Sequence, residues 1–145
     1  MYSDWLKGTW KLESFTATDE DGDCVDYMGP DATGFICYSH DGWMSVQIIS
    51  PGRMKYDVAT SDGGTDEQTL SAARGFFAYA GRFAVDEENA IVYHQLEFSL
   101  IPNWIGSTQK RYITKESENV LVLSADPTRM GGGKKRVARL RWIRL

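Results

Sequence analysis

The chain has 145 residues, of which 42% are hydrophobic and 25% are charged, and its net charge is −4. This length supports one sizeable core and not two, so we expect a single domain over residues 1–145. The acidic balance argues against a nucleic-acid partner, and no apolar stretch reaches the length of a membrane span.

Strands dominate the predicted structure, because apolar and polar residues alternate with a period of two along most of the chain. Turn signals such as Asp41-Gly42 separate the alternating segments, and the run Gly131-Gly132-Gly133 predicts a turn before the last strand. In chain order, the predicted strands cover residues 10–18, 34–38, 43–49, 77–85, 91–100, 107–114, 120–124 and 136–143. Eight antiparallel strands close into a barrel that is wide enough for its own side chains or for one small ligand.

One segment between the third and fourth strands switches to a helical period. Residues 65–68 (Thr-Asp-Glu-Gln) fit a capping box, and Leu70, Ala73 and Phe77 follow at helical spacing. We therefore predict a helix over residues 66–76 that covers the mouth or the flank of the barrel and buries Leu70 and Ala73.

The two ends of the chain carry opposite charge. Residues 1–31 contain eight acidic side chains, whereas seven basic and no acidic side chains follow Asp126. A closed barrel places its first and last strands side by side, so we expect these charges to face each other across that seam and to stabilise closure. We also expect the Trp10 indole to plug one end of the barrel, with an arginine of the last strand stacked on it.

Six short blocks, in the same order along nearly the whole chain, carry a family resemblance. The blocks are residues 6–10 (LKGTW), 29–34 (GPDATG), 41–47 (DGWMSVQ), 76–81 (FFAYAG), 99–106 (SLIPNWIG) and 139–142 (RLRW). With them the chain resembles the small lipocalin-like domain proteins of bacteria and fungi, within the calycin group. The resemblance implies an all-β fold: a closed eight-stranded antiparallel lipocalin-like barrel with one short helix and an internal cavity. Related barrels either bind hydrophobic ligands or act as cofactor-free cyclases and isomerases in natural-product pathways.

The fifth predicted strand is the most informative for function. Its period of two places His94 and Leu96 on one face and Gln95 and Glu97 on the other. We favour the Glu97 face as the inward one, with Arg111 of the next strand as the ion-pair partner that a buried carboxylate needs. The alternative is a surface pair at the same positions, worth less than about 1 kcal/mol.

The candidate site combines acid–base groups with polar and aromatic side chains. The candidate catalytic residues are Glu97, His94 and Tyr79. His94 is the obvious general base, because the pKa of imidazole lies near neutrality. The alternative is that His94 has no catalytic role and is simply packed in the core or solvated at the surface. The candidate ligand-binding residues are Tyr38, Ser45, Gln47, Gln95, Trp104 and Arg111. We predict no metal site, because the two histidines and two cysteines are widely spread along the chain.

Two functions from different classes remain open at this point. In the first, the barrel binds or carries a small, largely apolar molecule without changing it. In the second, the cavity is the active site of a cofactor-free cyclase, isomerase or dehydratase that acts on a polyketide- or terpene-like intermediate. Both functions require a small hydrophobic molecule as the partner, and neither requires a cofactor. The sequence leaves open whether the protein forms a homodimer. We expect a cytoplasmic protein, because no apolar signal segment follows Met1 and two cysteines cannot form a disulfide framework.

Overall fold

The computed structural model describes residues 1–130 and 133–145, so Gly131 and Gly132 of the predicted glycine turn lie outside the described residues. The helices are α1 (Tyr2–Trp5), α2 (Asp66–Arg74) and a short 3-10 helix (Pro102–Trp104). The strands are β1 (Gly8–Asp19), β2 (Cys24–Asp26), β3 (Thr33–Tyr38), β4 (Trp43–Ile49), β5 (Phe76–Asp86), β6 (Ile91–Ser99), β7 (Thr108–Ser117), β8 (Val120–Ser124), β9 (Thr128–Met130) and β10 (Lys134–Arg144). None of the described helices is both long enough and apolar enough to cross a membrane.

Eight of the strands form a closed antiparallel barrel, which confirms the predicted fold. Going around the barrel, the order is β1-β3-β4-β5-β6-β7-β8-β10, and β10 pairs again with β1. At this seam Trp10 lies opposite Arg144 and Leu12 lies opposite Trp142, as expected for a first strand paired with the last. The sequence pattern missed β2 and β9, which are three residues long and pair with the ends of β1 and β10 at the rim.

The two ends of the barrel differ in the length of their connections. At one end, which we call the closed end, the hairpins β3–β4, β5–β6 and β7–β8 are joined by residues 39–42, 87–90 and 118–119. At the other, the open end, the connections span residues 20–32, 50–75, 100–107 and 125–133 and include β2, α2, the 3-10 helix and β9. Any cavity therefore has its entrance among the long connections.

Trp10 and α1 seal the closed end. The Trp10 side chain is fully buried, and its indole N–H donates to the Leu6 carbonyl oxygen over 2.9 Å. The Arg144 guanidinium stacks 4.0 Å from the centre of the Trp10 ring and donates to the carbonyl oxygens of Trp5 and Lys7. The predicted indole plug is thus present, and Arg144 is the arginine that covers it.

Ion pairs cross the seam between the acidic first strand and the basic last strand. Arg141 pairs with Glu13 of β1 and, over 2.8 Å, with Glu116 of β7. Lys134 pairs with Asp19 over 3.4 Å. Both partners of the Arg141 pairs are partly exposed, whereas Lys134 is exposed and the Asp19 side chain is buried. Because each pair has at least one partner in solvent, it contributes little to the free energy of folding, and its main effect is on the register of closure.

The predicted helix forms, but the side that it buries is not the predicted one. In its capping box, Thr65 Oγ1 accepts from the Gln68 N–H and the Gln68 side chain accepts from the Thr65 N–H. Gln68 is buried and also accepts from the Asp57 N–H, whereas Leu70 is 49% exposed and Ala73 is exposed. The expectation for Leu70 and Ala73 is wrong because α2 packs on the preceding loop through hydrogen bonds and not on the barrel core through apolar side chains.

Candidate ligand-binding site

A cavity of about 300 Å³ occupies the barrel between its middle and the open end. The strands provide its walls with side chains that alternate inward with a period of two. The apolar wall includes Ile36, Val46, Ile48, Phe77, Leu123 and Leu140. Predominantly apolar walls with a few polar groups are typical of small-molecule sites.

A row of three hydrogen-bonded side chains lies in the middle of the barrel. His94 of β6 is fully buried, and its Nε2 lies 2.7 Å from the Tyr38 hydroxyl while its Nδ1 lies 2.7 Å from the Tyr79 hydroxyl. Tyr79 lines the cavity directly. Tyr38 ends β3 on the far side of the imidazole and packs edge-on against Phe83. The row therefore connects the cavity to the core behind it.

Burial decides the protonation state of this row. Burial, helped by the positive charge of Arg111, lowers the pKa of His94 from 6.5 to about 3, so the imidazole is neutral at neutral pH. Burial also raises the pKa of Tyr79, and it raises the pKa of Tyr38 well above the ordinary value, so both phenols keep their protons. The row is uncharged over the physiological range.

Arg111 of β7 brings a permanent positive charge into the cavity wall. Its Nη1 donates to the Lys110 carbonyl oxygen over 2.7 Å. No carboxylate lies within ion-pair distance of it in residues 1–130 and 133–145. A guanidinium has five N–H donors, so several of them remain for a ligand.

Aromatic rings surround the polar part of the cavity. Trp104 of the 3-10 helix lies 6.2 Å from the Tyr79 ring and 5.7 Å from Phe77, whose ring in turn meets Tyr79 edge-on at 5.7 Å. Trp142 lines the cavity from β10, and its buried indole N–H has no hydrogen-bond partner among the described residues. Aromatic rings in such an arrangement make edge-on or offset contacts with each other.

Four of the sequence-predicted site residues do not reach the cavity. Glu97 and Gln95 of β6 are exposed on the outer face of the barrel, and so is Gln47 of β4, while Ser45 is half-buried on the same outer face. The expectation that Glu97 points inward beside Arg111 is wrong. The inward face of β6 carries His94 and Leu96, because on this strand the barrel buries the more apolar side and leaves Gln95 and Glu97 in solvent.

The structure brings the remaining predicted residues together. Tyr79, His94, Trp104 and Arg111 line one cavity, and Tyr38 binds His94 from behind. The sequence pattern missed Trp142, although it shares the inward parity of Leu140 on the last strand, and this alternation is the signal that could have revealed it. No cluster of three or more potential metal ligands occurs among the described residues.

Known proteins resemble this chain in sequence and in structure. The carrier protein of 4'-hydroxy-3'-methoxypropiophenone, ppsC, from Aspergillus oryzae is 34% identical over 108 residues, which cover 70% of this chain and 96% of that protein. Among solved structures, EF1p2_mFAP2b bound to DFHBI has a TM-score of 0.46 at 14% identity, covering 99% of this chain and 96% of that one. A variant of the fluorescent protein UnaG has a TM-score of 0.42 at 15% identity, with coverages of 100% and 99%.

The family that matches is described as the lipocalin-like domain, and its match covers residues 7–145. That range contains the whole barrel, from β1 to β10, together with every residue of the cavity wall. The chain belongs to the lipocalin-like domain family.

Proposed function

We propose that this barrel binds and carries a small aromatic molecule with one or more oxygen substituents, without changing it chemically. The observation that carries the proposal is the 300 Å³ cavity, whose aromatic walls meet a small polar group of Tyr79, His94 and Arg111. The ligand's ring lies against Trp104 and Phe77, and its oxygen faces the polar group. The ppsC relative, named as a carrier of an aromatic ketone, supports this ligand class.

The arrangement of acid–base groups favours binding over catalysis. A general base works best when its pKa lies near the operating pH, whereas the pKa of His94 is about 3 and both of its ring nitrogens are already hydrogen-bonded. Glu97, the other candidate base, is exposed outside the barrel. The cyclase, isomerase or dehydratase alternative therefore loses both of its candidate bases, and Tyr79 and Arg111 serve a bound ligand as hydrogen-bond donors.

Calorimetric titration with 4'-hydroxy-3'-methoxypropiophenone tests the proposal. We expect saturable binding of one molecule per chain, and chromatography of the released ligand should recover it unchanged. Replacing Trp104 with alanine should raise the dissociation constant about 10-fold or more, since truncating a central aromatic contact commonly has this effect.

Trp43→Ala provides the matched control for Trp104→Ala. The Trp43 ring stacks under the Arg82 guanidinium at 4.7 Å and does not line the cavity, so its removal should leave the dissociation constant within twofold. Equal weakening by both variants would contradict binding inside the barrel. Conversion of the ketone to a new compound would contradict the carrier role and restore the enzymatic one.

A further inference from the structure

The row Tyr38–His94–Tyr79 has a defined hydrogen-bond direction. A neutral imidazole carries one N–H donor and one acceptor nitrogen, so one tyrosine must donate to the ring and the other must accept from it. Which tyrosine does which decides whether the Tyr79 hydroxyl proton points to His94 or is free for the cavity.

Tyr38 settles the choice because its hydroxyl is buried away from the cavity. Its one hydrogen-bond partner in the described part of the chain is His94 Nε2. If Tyr38 accepted from the imidazole, its own O–H would be buried without an acceptor, which costs about 1–3 kcal/mol. Tyr38 therefore donates to Nε2, and His94 carries its proton on Nδ1.

Tyr79 then accepts the Nδ1–H bond and keeps its own hydroxyl proton. Tyr79 lines the cavity, and the hydrogen-bond partner of its hydroxyl among the described residues is His94 alone. The free O–H is therefore directed to whatever occupies the cavity. The buried imidazole cannot reverse this direction without stranding the Tyr38 proton.

The cavity wall adds further donors next to Tyr79, besides two polar side chains that can also accept, Gln109 and Thr128. Arg111 has free N–H groups, and the Trp142 indole N–H is buried without a partner among the described residues. No carboxylate lines the cavity in residues 1–130 and 133–145. A ligand that offers an acceptor oxygen satisfies these donors, whereas an apolar ligand leaves them unpaired.

We propose that Tyr38 and His94 act as positioning residues that turn the Tyr79 hydroxyl into a fixed donor, and that the cavity therefore selects aromatic ketones over equally shaped hydrocarbons. This inference rests on the proposed function, since it assigns the chemical class of the ligand held in the same cavity. Tyr38 would influence ligand choice without touching the ligand.

The tautomer of His94 can be measured in the ligand-free protein. The chain has two histidines, so the His40→Gln variant labelled with ¹⁵N-histidine shows His94 by itself. We expect Nδ1 protonated and Nε2 unprotonated, from the one-bond couplings to hydrogen. In Tyr38→Phe, which lacks the donor to Nε2, the single tautomer should give way to a mixture. Protonation at Nε2 in the His40→Gln protein would overturn the inference.

Propiophenone and propylbenzene measure the ligand preference, because they differ only by a carbonyl in place of a methylene group. We expect the full-length protein to bind the ketone more tightly. Tyr79→Phe should weaken ketone binding about 10-fold and leave propylbenzene within twofold, as expected for the loss of one buried hydrogen bond. Tyr38→Phe should also reduce the preference for the ketone, by a smaller factor than Tyr79→Phe does.

The outcomes separate this inference from the proposed function. Binding of both probes with equal affinity contradicts the inference and leaves the barrel a carrier of aromatic molecules. If neither probe binds, the proposed function fails and the ligand class fails with it. An unchanged ketone preference in Tyr79→Phe contradicts the role of the Tyr79 hydroxyl as the donor.

Discussion

At the scale of single residues, His94 makes the stability of the protein depend on pH. A fully buried imidazole is tolerated because both of its nitrogens have partners, Tyr38 and Tyr79, and because it stays neutral. Protonation would put a charge into the barrel core near Arg111, with no carboxylate among the described residues of the cavity wall to balance it. The core is therefore sensitive to acid at this one position.

The free energy of unfolding should fall as the pH drops below about 6.5. The pKa of His94 is lower in the folded protein, at about 3, than the ordinary 6.5, so the unfolded chain binds more protons between these values. The slope should approach roughly 1.4 kcal/mol per pH unit, and the loss between pH 6.5 and pH 4.5 should be about 2–3 kcal/mol. Urea unfolding followed by tryptophan fluorescence measures it.

The matched control for this pH dependence is His94→Gln. A glutamine amide still offers one acceptor and one donor to the two tyrosines, but it does not titrate. Its free energy of unfolding should fall far less between pH 6.5 and pH 4.5, where only carboxyl groups with a lowered pKa, such as Glu87, begin to contribute. If His94→Gln shows the same slope as the unaltered protein, the acid sensitivity arises from other groups.

At the scale of elements, β5 and β6 are held in register by an irregularity beside the site. The pairing shifts between Ala80 and Gly81, and a Cβ added at Gly81 would overlap the backbone carbonyl of Gln95. Gly81 therefore permits the close approach of the two strands that carry Tyr79 and His94. A side chain at this position forces the strands apart.

Gly81→Ala should lower the free energy of unfolding by about 2–3 kcal/mol, because the new methyl group meets backbone and not a movable side chain. Urea unfolding at pH 7 checks this. Gly22→Asn is the control. Gly22 has φ +85° in an exposed turn, and no atom lies within 4 Å of an added Cβ. Asparagine adopts positive φ more easily than other residues, so this variant meets backbone strain without a clash and should lose about 1 kcal/mol or less. Equal losses would contradict the close-approach argument.

Sequence periodicity predicted the elements better than it predicted their faces. The strands and the capping box of α2 follow from local rules, namely alternation and the Thr-x-x-Gln spacing. Which side of β6 faces inward depends on what the rest of the barrel buries. The regular spacing of the polar residues Gln95 and Glu97 suggested that they line a functional interior, but both lie on the solvent-exposed outer face. Likewise, α2 buries Gln68 and exposes Leu70, because its partner is the backbone of a loop that no periodicity reveals.

At the scale of the whole molecule, two arginines of β10 distinguish the contacts that close the barrel from those that only pair charges on its surface. Arg144 stacks on Trp10 and donates to the carbonyl oxygens of Trp5 and Lys7, whereas Arg141 reaches only exposed carboxylates. Arg144→Met should cost about 2 kcal/mol of unfolding free energy, and Arg141→Met less than about 1 kcal/mol. Urea unfolding of both variants in the same buffer tests the order. A larger loss for Arg141→Met would show that the seam charges dominate closure.

The unequal ends of the barrel separate what keeps the protein folded from what controls access to the cavity. The plug of Trp10 and Arg144 lies at the closed end, while the four long connections surround the entrance at the other. Surface connections tolerate insertions and replacements far better than packed elements do. Changes in these connections can therefore alter which molecules reach the cavity, while the plug at the closed end and the polar side chains on the strands stay as they are.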